Sequence, residues 1–281
     1  MQDLLEAGAH FGHKVSRGNP RMKNFIYGAK DGVHVIDLAQ TEEKLKEATQ
    51  AMFDLGKSGK QMLIVGTKKQ AQDIVKELAD EVGAFYANIK WPGGLLTNFD
   101  ELRKNFKKLN DLKAEQEKGG LSVYTKKEQL LVARKLDKYH AEMGGIVTMD
   151  KRPDVLFVVD AVSDLIAVKE ARRSGMIIIG ICDSNADPNW FDYPVPANDD
   201  GIKSIKLLLE TMIKAYGAGK KEAGVQAEKL AEKEAVAIAK ASAKAQEKEE
   251  VAQAAGVAEE TAAIEEQVEK AEVKDAKSTV G

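Results

Sequence analysis

Cysteine is almost absent from this chain: Cys182 is the single one in 281 residues. That excludes an internal disulfide and any zinc site built on several thiolates, and it fits a reducing compartment. Long apolar runs are missing as well. The longest, Met176–Cys182, has Gly180 inside it and falls far short of the roughly 20 residues that a membrane-crossing helix needs. The opening MQDLLEAGAH places acids where a secretory leader would be basic. A cytoplasmic protein with no membrane segment is therefore expected. Neither an aromatic residue nor a proline follows Tyr216. From Ala218 onward ten lysines face fourteen acids, and alanine is the commonest of the remaining residues. Apolar residues are too sparse there to build a core, so residues 218–281 read as a flexible tail, disordered or fluctuating between coil and helix.

That tail carries all of the chain's acidity. The net charge is −3 overall, yet the 217 residues before the tail hold 32 basic and 31 acidic groups. Any basic surface must come from clustering rather than from excess. One segment clusters strongly. From Ala7 to Lys30 there is no acid at all, while Lys14, Arg17, Arg21, Lys23 and Lys30 are interleaved with Phe11, Phe25 and Tyr27, and His10 and His13 stand close by. Cations neutralise phosphates and flat rings stack on bases, which makes this a nucleic-acid contact in character. A solvated loop followed by a strand with core aromatics has the same composition, and the residues alone leave both readings open.

Hydrophobic content of 43% is enough for a sizeable core. Val33–Leu38, Gln61–Val65, Ala84–Ile89, Asp154–Asp160 and Met176–Cys182 read as strands. Helices are expected from about Glu42 to Leu55, capped by Thr41, from Lys68 to Gly83, from about Ser163 to Ser174, and from about Asp200 to Tyr216. Strands apolar on both faces, alternating with amphipathic helices, imply a parallel sheet covered on both sides. Between Asn98 and Gly145 the rhythm changes. Phe99, Leu102, Phe106, Leu109 and Leu112 recur at helical spacing. Lys118-Gly119-Gly120 stops that helix, and Thr125–Glu128 is a capping box that starts another through Val132, Leu136, Tyr139 and Met143. An antiparallel coiled-coil hairpin with one narrow apolar seam follows. The expected organisation is a sheet domain of residues 1–97 and 146–217, the hairpin inserted at 98–145, and the tail at 218–281.

Four motifs bear on chemistry. Gly66-Thr67-Lys68-Lys69 lies at a strand-to-helix turn, where backbone N–H groups and lysines suit a phosphate. It lacks the glycine pattern of a Walker loop. Asp160 and Asp183 each end a buried strand near the carboxyl edge, where α/β proteins place their sites. With Lys68 they define an alternative reading, a nucleotide- or metal-binding α/β enzyme, although capping and turn roles suit these aspartates too. His10 and His13 are spaced by three. Two ligands do not make a metal site, so no metal is expected, and these two histidines are the nearest to candidates. His34 reads as structural and His140 as solvated. Finally, Trp91–Asn98 is a glycine loop that permits close backbone approach to a ligand or serves as a hinge.

Several blocks together resemble one family. LLEAGAHFGHKVSRGNPRMKNFIYGAKDGVHVIDL, WPGGLLTNF, KYHAEMGGI, PDVLFVVDAVSDLIAVKEARRSGMIIIGICDSNADP and YPVPANDDGIKSIKLL occur in the order of the bacterial small-subunit ribosomal protein S-two family. The resemblance covers about Met1 to Tyr216. It implies a flavodoxin-like parallel sheet with a protruding coiled-coil hairpin. It also implies a structural, non-enzymatic place on the ribosome at the junction of head and body, contact with ribosomal RNA and neighbouring small-subunit proteins, and support for recruiting ribosomal protein S-one. No cofactor, small-molecule substrate or membrane is implied. Matched by position, Lys14, Arg17, Arg21, Lys23 and Lys30 become the leading RNA contacts, followed by Lys68 and Lys69, then Arg103 and Lys104.

Overall fold

The structure, a computed structural model, describes residues 1–117 and 125–225. Met1–Ala223 group as one compact unit. A short helix, α1 (Gln2–Glu6), precedes three strands, β1 (Phe11–Lys14), β2 (Ile26–Lys30) and β3 (Val33–Ile36). Then come α2 (Leu38–Lys57), β4 (Met62–Val65), α3 (Gln72–Val82), β5 (Phe85–Ala87), α4 (Phe99–Glu117) and α5 (Lys126–Met143). The order continues through β6 (Val155–Val158), α6 (Leu165–Arg173), β7 (Ile177–Cys182) and β8 (Tyr193–Pro196). The last described helix, α7, occupies residues 202–225.

The main sheet has five strands in the order β5-β4-β6-β7-β8, with every pairing parallel. Counted within the sheet this is 2-1-3-4-5, the doubly wound order of flavodoxin-like folds. Alternation along each strand supplies two cores. Met62, Ile64, Val155, Phe157, Ile179 and Ile181 face Ala48 and Met52 of α2, Val75 and Leu78 of α3, and Leu208, Leu209 and Met212 of α7. Leu63, Val65, Leu156, Val158 and Ile178 face Ala167, Val168 and Ala171 of α6, along with Leu95, Leu96, Phe106 and Ile146. Burying a large aliphatic side chain contributes roughly 1.5–3 kcal/mol, so these central strands anchor the unit.

Four expectations need correction. Val33–Ile36 does not join the parallel sheet. It is the middle strand of a separate antiparallel sheet, β1-β3-β2. Asp31 and Gly32 both adopt positive φ, 52° and 77°, which folds β2 straight back onto β3. Second, Asp37 and not Thr41 caps α2: its carboxylate accepts from Ala39 N at 2.9 Å. Thr41 lies inside the helix, with its hydroxyl 2.6 Å from the Pro196 carbonyl oxygen, tying α2 to β8. Third, β8 itself was not expected, because it contains Pro194 and Pro196. An edge strand tolerates prolines that a central strand excludes. Fourth, the last helix continues past Tyr216. Gly56 of α2 meets the Tyr216 carbonyl and Gly219 of α7 meets the Phe53 carbonyl so closely that an added Cβ would stand 2.2 Å and 2.1 Å away. The two helices pack backbone to backbone there, which holds α7 in place beyond the sheet.

Helices α4 and α5 form as expected, and α5 begins with the anticipated box: Thr125 N donates to Glu128 Oε2 at 2.9 Å, and Glu128 N to Thr125 Oγ1 at 3.4 Å. The two helices meet through Phe106 and Tyr139, whose ring centroids are 6.4 Å apart. The Lys118-Gly119-Gly120 stop and residues 226–281 of the expected tail lie outside the described residues. Among the described residues, no helix is long and apolar enough to cross a membrane.

Candidate nucleic-acid interface

The acid-free segment folds as β1, two 3-10 turns over Val15–Arg17 and Pro20–Phe25, and β2. Asn19 opens the second turn by accepting from Arg21 N at 3.0 Å, with Pro20 at its first position. Long-range contacts then pin the backbone to the loop after β7. His13 N donates to Ser184 Oγ at 2.7 Å, and Asn19 N donates to the Ser184 carbonyl at 2.8 Å. Met22 is fully buried, its sulfur 3.5 Å from Cys182 Sγ. The segment is thus fixed through its backbone and through apolar side chains, Met22 foremost with Phe25 and Ile26 beside it, which leaves its charged side chains outward.

Lys14, Arg17, Lys23 and Lys30 are exposed and make no ion pair among the described residues. Arg21 is 62% exposed and pairs with Asp187; a guanidinium has five N–H donors, so most remain available. Tyr27, on β2, is 83% exposed and Phe11 54%. Phe25 is different: it is half-buried and packs on the core shared with α6, so of the three interleaved rings only two are presented to solvent. Flat rings exposed beside unpaired cations match the two contacts that folded RNA offers, bases and phosphates.

The carboxyl edge of the parallel sheet holds a second constellation. Lys68 follows β4, and its ammonium lies 2.8 Å from Asp199, 2.8 Å from Asp200 and 3.1 Å from Asp160. Lys68 is 16% exposed and Asp199 1%. Burial opposes the Lys68 charge, yet Asp199, Asp200 and Asp160 outweigh it and hold the ammonium above its ordinary pKa. Asp199 moves the other way for a carboxyl: burial and the nearby Asp183 and Asp160 raise it to about 8 against the pull of Lys68. Asp164, buried beside Thr67, is raised to about 6 although Thr67 donates to it through N (3.2 Å) and Oγ1 (2.8 Å). Asp160 also accepts from Val162 N, Ser163 N and Ser163 Oγ, which keeps its carboxyl below the usual range despite burial. His13 reaches into this cluster, with Nδ1 3.1 Å from Asp183 and Nε2 3.5 Å from Asp200, and the Asp183 contact raises its pKa against partial burial.

These positions re-sort the sequence candidates. Lys14, Arg17, Arg21, Lys23 and Lys30 lie together on one pinned segment. Lys69 is exposed at the carboxyl edge. Lys68 does not stand out toward a ligand: three aspartates surround its charge. The reason lies in topology, which brings the ends of β4, β6 and the residues after β8 to one edge. Arg103 and Lys104 are exposed on α4, near Asp150 at 3.6 Å and Glu101 at 3.1 Å, and no described hydrogen bond or ion pair links them to the amino-terminal segment. His10 and His13 do not converge. In a nearly extended chain a spacing of three sends side chains to opposite faces. His13 instead groups with Asp199 and Asp200 within reach of a single ion, where the Lys68 ammonium already supplies the positive charge. His140 is half-buried rather than solvated. Sequence reasoning missed Ser184, Asp199 and Glu170 as individual residues although they lie in the family-like blocks, because each acts on partners far away in the chain.

The family profile described as Ribosomal protein S2 matches residues 4–219. The chain belongs to the ribosomal protein S2 family. A protein of Wolinella succinogenes described as small ribosomal subunit protein uS2 is 43% identical over 224 residues, 80% of this chain and 83% of its own length. Proteins of the same description from Aliarcobacter butzleri and Geotalea uraniireducens are 42% and 45% identical, over 252 and 219 residues. They cover 88% and 78% of this chain, and 95% and 86% of their own lengths. The S2 family is structural and non-enzymatic. The matched span includes the basic segment, the Lys68 cluster, α4 and α5, and it ends inside α7.

Proposed function

We propose that this chain is a structural constituent of the small ribosomal subunit, acting in translation, and that it binds ribosomal RNA through its amino-terminal segment. The observation that carries the RNA-binding part is the combination of a rigidly held backbone with Lys14, Arg17, Lys23 and Lys30 unpaired and Tyr27 almost fully exposed. Fixed cations position a phosphate backbone without the ordering penalty that a floppy arm suffers, and specificity comes from fitting a folded RNA surface. Lys69, Arg103 and Lys104 extend the contact. A place between head and body, a hairpin arm formed by α4 and α5, neighbouring small-subunit proteins and support for recruiting ribosomal protein S-one complete the reading; family resemblance supports these.

The rival, a nucleotide- or metal-binding enzyme at the carboxyl edge, loses its main cation. At the switch point between β4 and β6, where such folds take ligands, Lys68 is occupied by Asp160, Asp199 and Asp200. The test is Arg17→Ala, Arg21→Ala and Lys23→Ala combined. Arg21 is exposed but its partner Asp187 is largely buried, so losing that pair costs roughly 1–3 kcal/mol, and circular dichroism checks that the variant folds. Incorporation into small subunits, followed by sedimentation, falls several-fold. Full incorporation of a folded triple variant refutes the assignment.

A further inference from the structure

The loop between β5 and α4 is wrapped around a single carboxylate. Glu170, on α6, accepts from Gly94 N at 2.7 Å, Leu96 N at 3.0 Å and Thr97 N at 3.3 Å. Thr97 Oγ1 and Trp91 Nε1 add two more donors at 3.3 Å each. Among the described residues no lysine or arginine pairs with Glu170. Its negative charge is met by backbone N–H dipoles and two neutral side chains, the arrangement of an anion-binding nest, filled here from within the chain.

The nest is continuous with the start of α4. Asn98 N donates to the Gly94 carbonyl at 2.7 Å, and Leu102 N to the Asn98 carbonyl at 3.3 Å. Gly94 takes φ +87°, a conformation that glycine adopts without strain. Leu95 and Leu96 are buried in the core shared with α6, which anchors the loop's side chains but leaves three backbone N–H groups needing an acceptor. Ser174 Oγ, one turn farther along α6, reaches the Leu96 carbonyl at 3.4 Å. Helix α6 therefore grips the loop from which α4 departs, and α4 carries Arg103 and Lys104.

We propose that Glu170 is a positioning residue: by filling this nest, its carboxylate sets the direction in which α4 and α5 leave the sheet. The consequence for RNA contact by Arg103 and Lys104 rests on the functional reading above; the mechanical claim does not. The experiment uses the full chain carrying nitroxide labels at Glu43→Cys on α2 and Lys113→Cys on α4, with Cys182 buried and unreactive. Distance distributions are measured by pulsed electron resonance for Glu170, Glu170→Gln and Glu170→Ala. The native residue gives one narrow distribution. Alanine broadens it, and glutamine, with one terminal oxygen replaced by a donor, broadens it less. Adding millimolar-range formate narrows the alanine distribution again, whereas chloride at equal ionic strength does not; a role in packing alone would not respond to formate. If the alanine variant fails to fold, the glutamine variant carries the comparison. Equal widths in folded native and variant chains overturn the proposal. A broadened distribution with unchanged binding to small-subunit RNA leaves Glu170 as the positioning residue and removes α4 from the RNA contact.

Discussion

Replacing Lys68 by methionine separates an internal counter-ion from an RNA contact. The substitution keeps most of the side-chain volume and removes one positive charge from a cluster in which Asp160 and Asp199 are nearly wholly buried. At an effective dielectric of about 20, one unit pair at these separations of 2.8–3.1 Å is worth roughly 5–6 kcal/mol before desolvation is set against it. Breaking buried pairs by removing one partner costs about 3–5 kcal/mol in practice, because the other charge is left uncompensated. Asp200 is half exposed and is discounted. Proton uptake relieves part of the loss, since burial and neighbouring charges already raise the Asp199 carboxyl to about 8. The expectation is therefore a loss of about 3 kcal/mol, carried chiefly by the buried Asp160, whose carboxyl is held below the usual range, and similar at pH 8 and pH 5, because an Asp199 carboxyl titrating at about 8 is only partly ionised even at the higher value. For a unit of this size that lowers the thermal midpoint by roughly 6–12 °C at the higher pH. Differential scanning calorimetry at both pH values reads it. Adding Asp160→Asn to the methionine variant recovers a large part of the loss, because the buried pair then leaves together. A loss below about 1 kcal/mol at pH 8, or a loss at pH 5 less than half of that at pH 8, refutes the reasoning. Reduced RNA affinity in a variant of unchanged stability would show instead that Lys68 faces a phosphate.

Two further predictions concern the same fold. Asp164, Asp199 and His13 all titrate above their ordinary values in the folded chain; their stabilising contribution is complete at low pH and is lost across about pH 4–6 for Asp164, about pH 4–8 for Asp199, and above about pH 6.5 for His13. Asp37, Asp154 and Asp160 are lowered, so their contribution disappears as pH falls below about 4. The thermal midpoint should therefore peak near about pH 4 and decline toward pH 8, and a scan with its maximum at pH 8 or above contradicts the cluster as described. Gly56→Ala places a Cβ 2.2 Å from the Tyr216 carbonyl, so α2 and α7 must separate; the expected loss is about 1–3 kcal/mol in chemical denaturation, and a neutral or stabilising result would mean that the helices do not pack so closely.

What the sequence determined by itself is what depends on neighbours along the chain. QMLIV, DVLFVVD and MIIIGIC are apolar on both faces, and a strand so patterned has to be covered on both sides. The Thr125–Glu128 box is a contact across one helical turn. The basic character of residues 7–30 is composition, and no fold alters it. Tertiary structure decided the rest. Phe11 and Tyr27 face solvent while Phe25 packs inward, because the strands of the small sheet and the turn from Pro20 give each ring a different side. Lys68 and Lys69 are adjacent and chemically alike, yet one is exposed and the other is held by Asp199, 131 positions away. Glu170 reaches its nest across more than 70 positions. Local periodicity tells each segment what to become. Which charge meets which depends on the strand order that brings distant ends to one edge, and no interval along the chain records that order.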